Sequence, residues 1–190
     1  MSKYFKFFPT ITYGDKVVTD ITRRAKILED IESNTYAYLP YTVKDMERPE
    51  DVALGYYGDP SLVWLVYYSN NIVDPYHEWP LDFTNFEKMI VKKHKAEAEK
   101  SMGTTLKDQE IINWTQNTTT NDNILYYYDS DNNRISKDTI INGAVALEGW
   151  TAMRIYDSEF LENESKREIR LMNKMYASQA VENLKKVINV

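Results

Sequence analysis

The sequence predicts an α+β fold in which helices predominate, and three observations predict it. Between Arg48 and Leu81 two short helices follow one another with their start and stop signals in place. Amphipathic helical patterns recur near 82–100 and 176–188. Short runs rich in Tyr, Thr and Val, of the kind that favours strands, alternate with them. A length of 190 residues holds one substantial core or two small ones.

Phe5 to Tyr13 has aromatic and β-branched character and stops at Gly14-Asp15, a strand followed by a turn. Asp20 caps a helix expected from Ile21 to about Ile31, with Ile21, Ala25, Leu28 and Ile31 on one face. Tyr36 to Val43 reads as a strand, and Pro40 inside it points to an edge or a bend. Pro49 suits the first helical position, where its missing N–H would have no partner anyway. Glu50 and Asp51 place negative charge at the positive end of that helix. Gly58 supplies a left-handed stop, and Asp59-Pro60 restarts a helix as N-cap and first-turn proline. Leu62, Leu65, Val66 and Ser69 share one face of this second helix, and Val63, Trp64 and Tyr67 make its other side apolar too.

Asp82 or Thr84 caps a third helix to about Lys100, with Phe83, Phe86 and Ile90 inward. Ser101 to Asp122 is polar and rich in Thr and Asn, and reads mostly as loop. Ile124–Tyr128, a turn at Asp129–Asn133 and a return strand at Arg134–Ser136 form a hairpin. Thr151–Tyr156 reads as a strand, Asp157–Glu164 as a short helix and Arg167–Met172 as an alternating strand. Tyr176–Ile188 is an amphipathic helix burying Ala180, Leu184, Val187 and Ile188. The division expected is an N-terminal part at 1–100, with the helix pair at about 38–82, a polar loop and hairpin region at 101–150, and a C-terminal strand–helix segment at 151–190. The helix-pair region is expected to fold without the chain beyond Asp157.

The formal charge of −6 argues against a phosphate-backbone binder, which needs a basic face. With no cysteine there is no disulfide framework, thiolate zinc site or cysteine nucleophile. The N-terminal stretch lacks the pattern of a signal peptide, and the uncharged run Ser61–Val73 is short of a membrane span, which needs ~20 residues. Fifteen tyrosines and four tryptophans are a high aromatic share, suited either to a Tyr-rich core or to surfaces where protein meets protein.

Chemistry is sparse. The two histidines, His77 and His94, have no nucleophile-elbow pattern near them and read as surface or packing residues. Asp129 to Asn133 superficially resembles a calcium loop, but Arg134 stands where the glycine belongs and Ile140 where the bidentate glutamate belongs. No metal, cofactor or small-molecule substrate is expected. The acidic stretches read as solvated helix faces rather than a carboxylate pair for glycoside hydrolysis. The basic run Lys88–Lys95 reads as the wet face of an amphipathic helix. Trp64 reads as core, and Trp79, between Glu78 and Pro80, as an exposed anchor.

From Arg48 onward the chain reads RPEDVA, YYGDPSLVWLV, NNIVDP and WPL in order. With Tyr41-Thr42-Val43 ahead of it, and Val52-Ala53, Tyr56 or Tyr57, Trp64-Leu65 and Asn70 within it, this block resembles the strand–helix–helix core of LysM modules. It resembles more specifically the LysM-like baseplate wedge proteins of contractile-tailed, T-even-type bacteriophages. FFPTITYGDK before it and ENESKREIRLMNKMY after it follow the family's order, whereas Ser101 to Gly149 carries no part of the resemblance.

The resemblance implies a LysM-like core joined to a second, mixed C-terminal part. It implies a structural, non-enzymatic wedge component that clamps neighbouring wedge proteins and helps join wedges around the hub during tail assembly. The partners implied are wedge-ring and sheath-initiator-like subunits, with no nucleic acid and no membrane. The place implied is the virion tail baseplate, after assembly in the host cytoplasm. The motif residues, structural or partner-docking, are Arg48, Pro49, Tyr57, Gly58, Asp59, Pro60, Trp64, Asn70, Asp74, Pro75, Trp79 and Pro80. Arg167, Ile169, Leu171 and Tyr176 are C-terminal docking candidates. The alternative is a LysM-type peptidoglycan-binding module of a virion or cell-wall protein. Glycan-binding LysM modules place a second strand directly after the second helix, whereas here NNIVDPYHEWPLDF carries two prolines and runs straight into a helix.

Overall fold

A computed structural model describes residues 8–21 and 35–188. In chain order the elements are β1 (Thr10–Tyr13), β2 (Lys16–Thr19), β3 (Tyr38–Thr42), α1 (Pro49–Tyr57), α2 (Val63–Ser69), α3 (Pro75–Glu78), α4 (Phe83–Met102) and α5 (Asp108–Gln116). Then follow β4 (Ile124–Tyr128), β5 (Arg134–Ser136), α6 (Lys137–Ile141), β6 (Thr151–Arg154), α7 (Ile155–Ser165), β7 (Glu168–Met172) and α8 (Lys174–Ile188). Short 3₁₀ turns at Thr35–Ala37 and Pro60–Leu62 lead into β3 and α2. The fold is α+β and helix-rich. The helix expected from Ile21 falls, after that residue, outside the described residues, as does the start of the strand expected from Phe5.

The chain forms two units, one of Met1–Pro80 with Lys166–Val190, the other of Leu81–Ser165. These divisions differ from the expected ones near 100 and 150, because β3 pairs with β7 and draws the later segment back into the first unit. Three small antiparallel sheets result: β1–β2, β3–β7 and β5–β4–β6.

In the first unit the helix pair packs on the β3–β7 sheet. Pro49 occupies the first turn of α1, the Asp51 carboxylate accepts the Arg48 N–H at 3.1 Å, and Gly58 ends the helix at φ +79. Only a residue without Cβ takes that left-handed angle cheaply. Asp59 then caps the 3₁₀ turn, accepting the Ser61 N–H at 2.9 Å. Val52 and Ala53 of α1 and Val66 of α2 meet Val43, Trp79, Ile169 and Leu171. On the other side Leu65 packs with Ala37, Met172, Ala177 and Ala180, and Phe8 with Leu184 and Trp64. Side chains of Val187 and Ile188 are outside the described ones.

β7 therefore completes the helix-pair core, contributing Ile169 and Leu171 to the same cluster as both helices. A helix pair ending near Asp157 would lack the strand that pairs with β3 and the Ile169 and Leu171 side chains of that cluster.

The second unit packs α4, α5 and α7 around Ala98, Ile111, Trp114 and Ile155, with Phe86, Ile90 and Ile112 beside them. Phe86 meets Tyr156 and Phe160 edge-on at 5.5 and 6.0 Å between ring centres. The β4–β5 hairpin forms as expected, the Asp129 carboxylate accepting the N–H groups of Asp131 and Asn133 across the turn. Three expectations are corrected here. Asp108–Gln116 is helix rather than loop, because Ile111, Ile112, Trp114 and Thr115 form a buried face and Glu110 caps its first turn through Lys107 N–H. The strand from Thr151 stops at Arg154, where Ile155 N–H bonds Asn123 C=O and the helix begins. Phe83 is 57% exposed, since it sits at the first helical position, whereas Phe86 and Ile90 are buried.

Candidate docking surface

The residues marked by the motif are placed by the helix pair, and most hold it together. Pro49 and Pro80 are buried, Arg48 is exposed at the helix start, and Pro75 is half-buried in the first turn of α3. Asp74 caps α3 by accepting the Tyr76 N–H at 3.0 Å, and its other oxygen lies 2.7 Å from His77 Nδ1. That bond, first among its causes, lowers the Asp74 pKa. The Tyr57 hydroxyl donates to Met172 C=O at 3.0 Å, and burial pushes its pKa up. Trp64 is half-buried between α8 and Phe8.

Trp79 differs from its expectation as an exposed anchor. It is only 8% exposed, packed against Val43 and Ile169, and its indole N–H donates to Glu47 C=O at 3.0 Å. Its burial comes from packing with Val43 and with Ile169 and Leu171 of β7. Glu47 also accepts from the Tyr41 hydroxyl at 2.7 Å, and burial together with that carboxylate pushes the Tyr41 pKa up to about 12.

Of the C-terminal residues, Ile169 and Leu171 are core side chains and Tyr176 is half-buried. The Arg167 guanidinium reaches Asp45 at 3.2 Å. In β7 the alternation thus serves the chain's own sheet.

Sequence reasoning missed how the edges of that sheet are closed. Thr42, Pro40 and Tyr38 face Glu168, Arg170 and Met172. Val43 N–H bonds Arg167 C=O and Asn173 N–H bonds Ala37 C=O, so the hydrogen-bonded pairs are the odd positions of β3. The N–H and C=O groups of Arg170 and Met172 consequently point away from β3. Asn70 meets them with its side-chain amide: its Oδ1 accepts Arg170 N–H at 2.8 Å and its Nδ2 donates to Arg170 C=O at 2.9 Å. The Tyr57 hydroxyl takes the Met172 carbonyl. On the opposite edge the outward position at the strand centre is Pro40, which has no N–H to offer. Both edges of this sheet are blocked, and a further strand has no ladder to join.

Asn163 repeats the device in the second unit. Buried on α7, its amide accepts Leu81 N–H at 2.8 Å and donates to Leu81 C=O at 3.0 Å, tying the start of that unit to its last helix. His94, also buried, bonds Glu159 at 3.2 Å from α4 to α7, and Lys93 joins the same carboxylate at 2.7 Å. Among the described residues no three His, Asp or Glu side chains are grouped to hold a metal, and no helix is long and apolar enough to cross a membrane. An open depression of about 490 Å³ lies beside Trp114 and Leu106. Glu110 is the one carboxylate lining it, and that group is held by the Lys107 N–H at 2.7 Å.

What the surface presents is apolar and acidic together. Val73 and Tyr76 are each 88% exposed in the α2–α3 loop and at the start of α3, and Leu54 is exposed on α1. Burial, then the neighbouring charge of Glu50 and the Tyr76 phenol, push the pKa of Tyr67 up to about 12. Every side chain of β1 and β2 is exposed as well. Such surfaces suit contact with other proteins better than chemistry on a small molecule.

The family model described as "Base plate wedge protein 53" matches residues 4–187. A relative described as "Baseplate wedge protein gp53", of Enterobacteria phage T4, is 28% identical over 186 residues, covering 90% of this chain and 88% of its own.

Proposed function

The chain belongs to the base plate wedge protein 53 family, and on that premise we propose that it is a non-enzymatic docking component which clamps neighbouring wedge proteins and helps join wedges around the hub. Membership of that family supports a structural role in the phage tail baseplate wedge. The observation that carries the docking role is the closed helix-pair core with exposed apolar side chains outside it. Val73, Tyr76 and Leu54 stand on a unit whose buried clusters already hold Trp79, Ile169 and Leu171. Exposed apolar side chains outside a filled core suit contact with another protein where they form a patch. The partners are other baseplate proteins, with wedge-ring and sheath-initiator-like subunits as the proposed ones. The place of action is the virion tail baseplate, reached by assembly in the host cytoplasm.

The glycan-binding alternative finds less support. The strand that pairs with β3 is β7, not a strand directly after α2, and the segment after α2 goes into α3 and α4. Co-expression of the full chain with the wedge proteins of its phage, followed by native mass spectrometry, tests the proposal. Entry of the chain into a wedge complex at fixed stoichiometry is expected. A chain that stays free, or one that releases soluble product from purified peptidoglycan, refutes it.

A further inference from the structure

The β3–β7 sheet has both edges closed, but among the described residues nothing closes either edge of the β1–β2 hairpin. Its two-residue turn, Gly14-Asp15, has glycine at the first position with φ +61, as a tight hairpin turn takes. The register pairs Tyr13 with Lys16, Ile11 with Val18, Thr12 with Val17 and Thr10 with Thr19. The residues flanking a two-residue turn exchange hydrogen bonds, and Asp20 N–H bonds Pro9 C=O at 2.8 Å in the same phase. So the N–H and C=O groups of Thr10 and Thr12 on β1, and of Val17 and Thr19 on β2, point outward from the hairpin.

Among the described residues no proline, inward charge or side-chain amide blocks these positions, and Lys16 at the turn is the one charge on either strand. Ile11 and Val18 lie directly opposite each other on one face, joined there by Tyr13, and all are exposed. A two-stranded hairpin with no packed face is marginal in water and gains a stable form when a third strand is added. The two edges are not equal. β1 runs back at once into Pro9 and buried Phe8, which packs with Leu184 and Trp64. β2 runs on through Asp20 to Ile21, 69% exposed, and carries Val17 at 73%.

We propose that the outer edge of β2 is a strand-addition site, on which an extended segment of another baseplate protein pairs with Val17 and Thr19. This rests on the docking role proposed above and names its chemistry. The occupant is a strand because the free groups are backbone donors and acceptors at strand spacing. It is β-branched or apolar in sequence, because Val17 and Val18 offer apolar contact on the two faces of the edge. It comes from a different protein because membership of a baseplate wedge family points to other baseplate proteins as neighbours.

The geometry gives a selective test. Val17→Pro removes one outward N–H and leaves the bonds between Ile11 and Val18, and between Tyr13 and Lys16, in place. Thr12→Pro makes the matching change on the β1 edge. The full chain and both variants are co-expressed with the wedge proteins and compared by native mass spectrometry. Amide exchange of the free and assembled parent chain is measured alongside, and thermal midpoints check that all three fold. The expected result is that Val17 and Thr19 amides become protected on assembly. Val17→Pro then enters the complex at least about tenfold more weakly, as the loss of one to two backbone bonds implies, and Thr12→Pro enters like the parent. Equal entry of all three chains, or loss confined to Thr12→Pro, overturns the assignment. Self-association of the free chain that Val17→Pro abolishes makes the occupant a second copy and overturns it also. A parent chain that never joins the complex refutes the docking role itself, and this inference falls with it.

Discussion

Replacing Asn70 by alanine removes three hydrogen bonds at once: from Arg170 N–H, to Arg170 C=O, and to Val66 C=O at 2.8 Å. Each such bond contributes about 0.5–1.5 kcal/mol net. Two of the three lie at an exposed strand edge, where water takes over part of the loss, so the sum is about 2 kcal/mol. With a urea slope of about 1–1.5 kcal/mol/M for a unit of this size, the midpoint of its transition falls by about 1.5 M. Amide exchange sharpens the assay, because the Arg170 N–H gains exchange out of proportion to the change in global stability. Asn70→Asp is the discriminating companion. It keeps the shape and the acceptor, but turns a donor into a charged oxygen facing two carbonyls, and it costs at least as much as alanine. A midpoint within about 0.3 M of the parent for either variant, or an Arg170 amide still protected in Asn70→Ala, refutes the edge-cap account.

Four further outcomes follow from the same geometry. Gly58→Val, at φ +79, lowers stability by about 1 kcal/mol or more in urea melts through the Cβ clash, and an unchanged midpoint contradicts the left-handed stop. Ser69 Oγ is buried with no protein partner, so Ser69→Ala is neutral or stabilises by up to ~1 kcal/mol, and a clear loss in the same melts points to a bond that the alanine removed. Asp82 has its pKa lowered first by the Asn85 N–H. Its contribution is complete above the unfolded value near ~4 and lost as pH falls through the lower folded one, so Asp82→Asn flattens the acid limb of the melting profile, and identical limbs count against it. A chain ended near Asp157 loses the first unit's near-ultraviolet signal from Trp64 and Trp79, and native-like tertiary signal there sinks the role given to β7.

Local features were readable because their causes are local. The caps at Asp59, Asp74 and Asp82, the stop at Gly58 and the turn at Asp129 all rest on side chains acting on backbone within a few residues. The α5 helix was hidden because its buried face, Ile111, Ile112 and Trp114, is brief and sits in a polar Thr- and Asn-rich context. Trp79 looked exposed because its neighbours Glu78 and Pro80 are polar or helix-breaking, whereas its burial depends on β7, far along the chain. The bonds made by the amides of Asn70 and Asn163 could not be read from the sequence, although Asn70 itself stands among the motif residues. Each serves a backbone group 100 or 82 positions away, and an asparagine near a helix end is ordinarily read as a stop signal.

The partner of β3 is separated from it by 126 positions. At synthesis rates of about 5–20 residues per second, β3 waits roughly 6–25 s on the ribosome before β7 emerges. During that interval the contiguous second unit can complete itself, while the helix pair stands open beside a single unpaired strand. Pro40 then acts as a temporal guard as well as a spatial one, since a nascent strand without its central donor is a poor template for a neighbouring chain on the same polysome. Completion of the first unit's core is thereby tied to reading the message through Met172, since a fragment released earlier lacks the strand that pairs with β3 and carries Ile169 and Leu171.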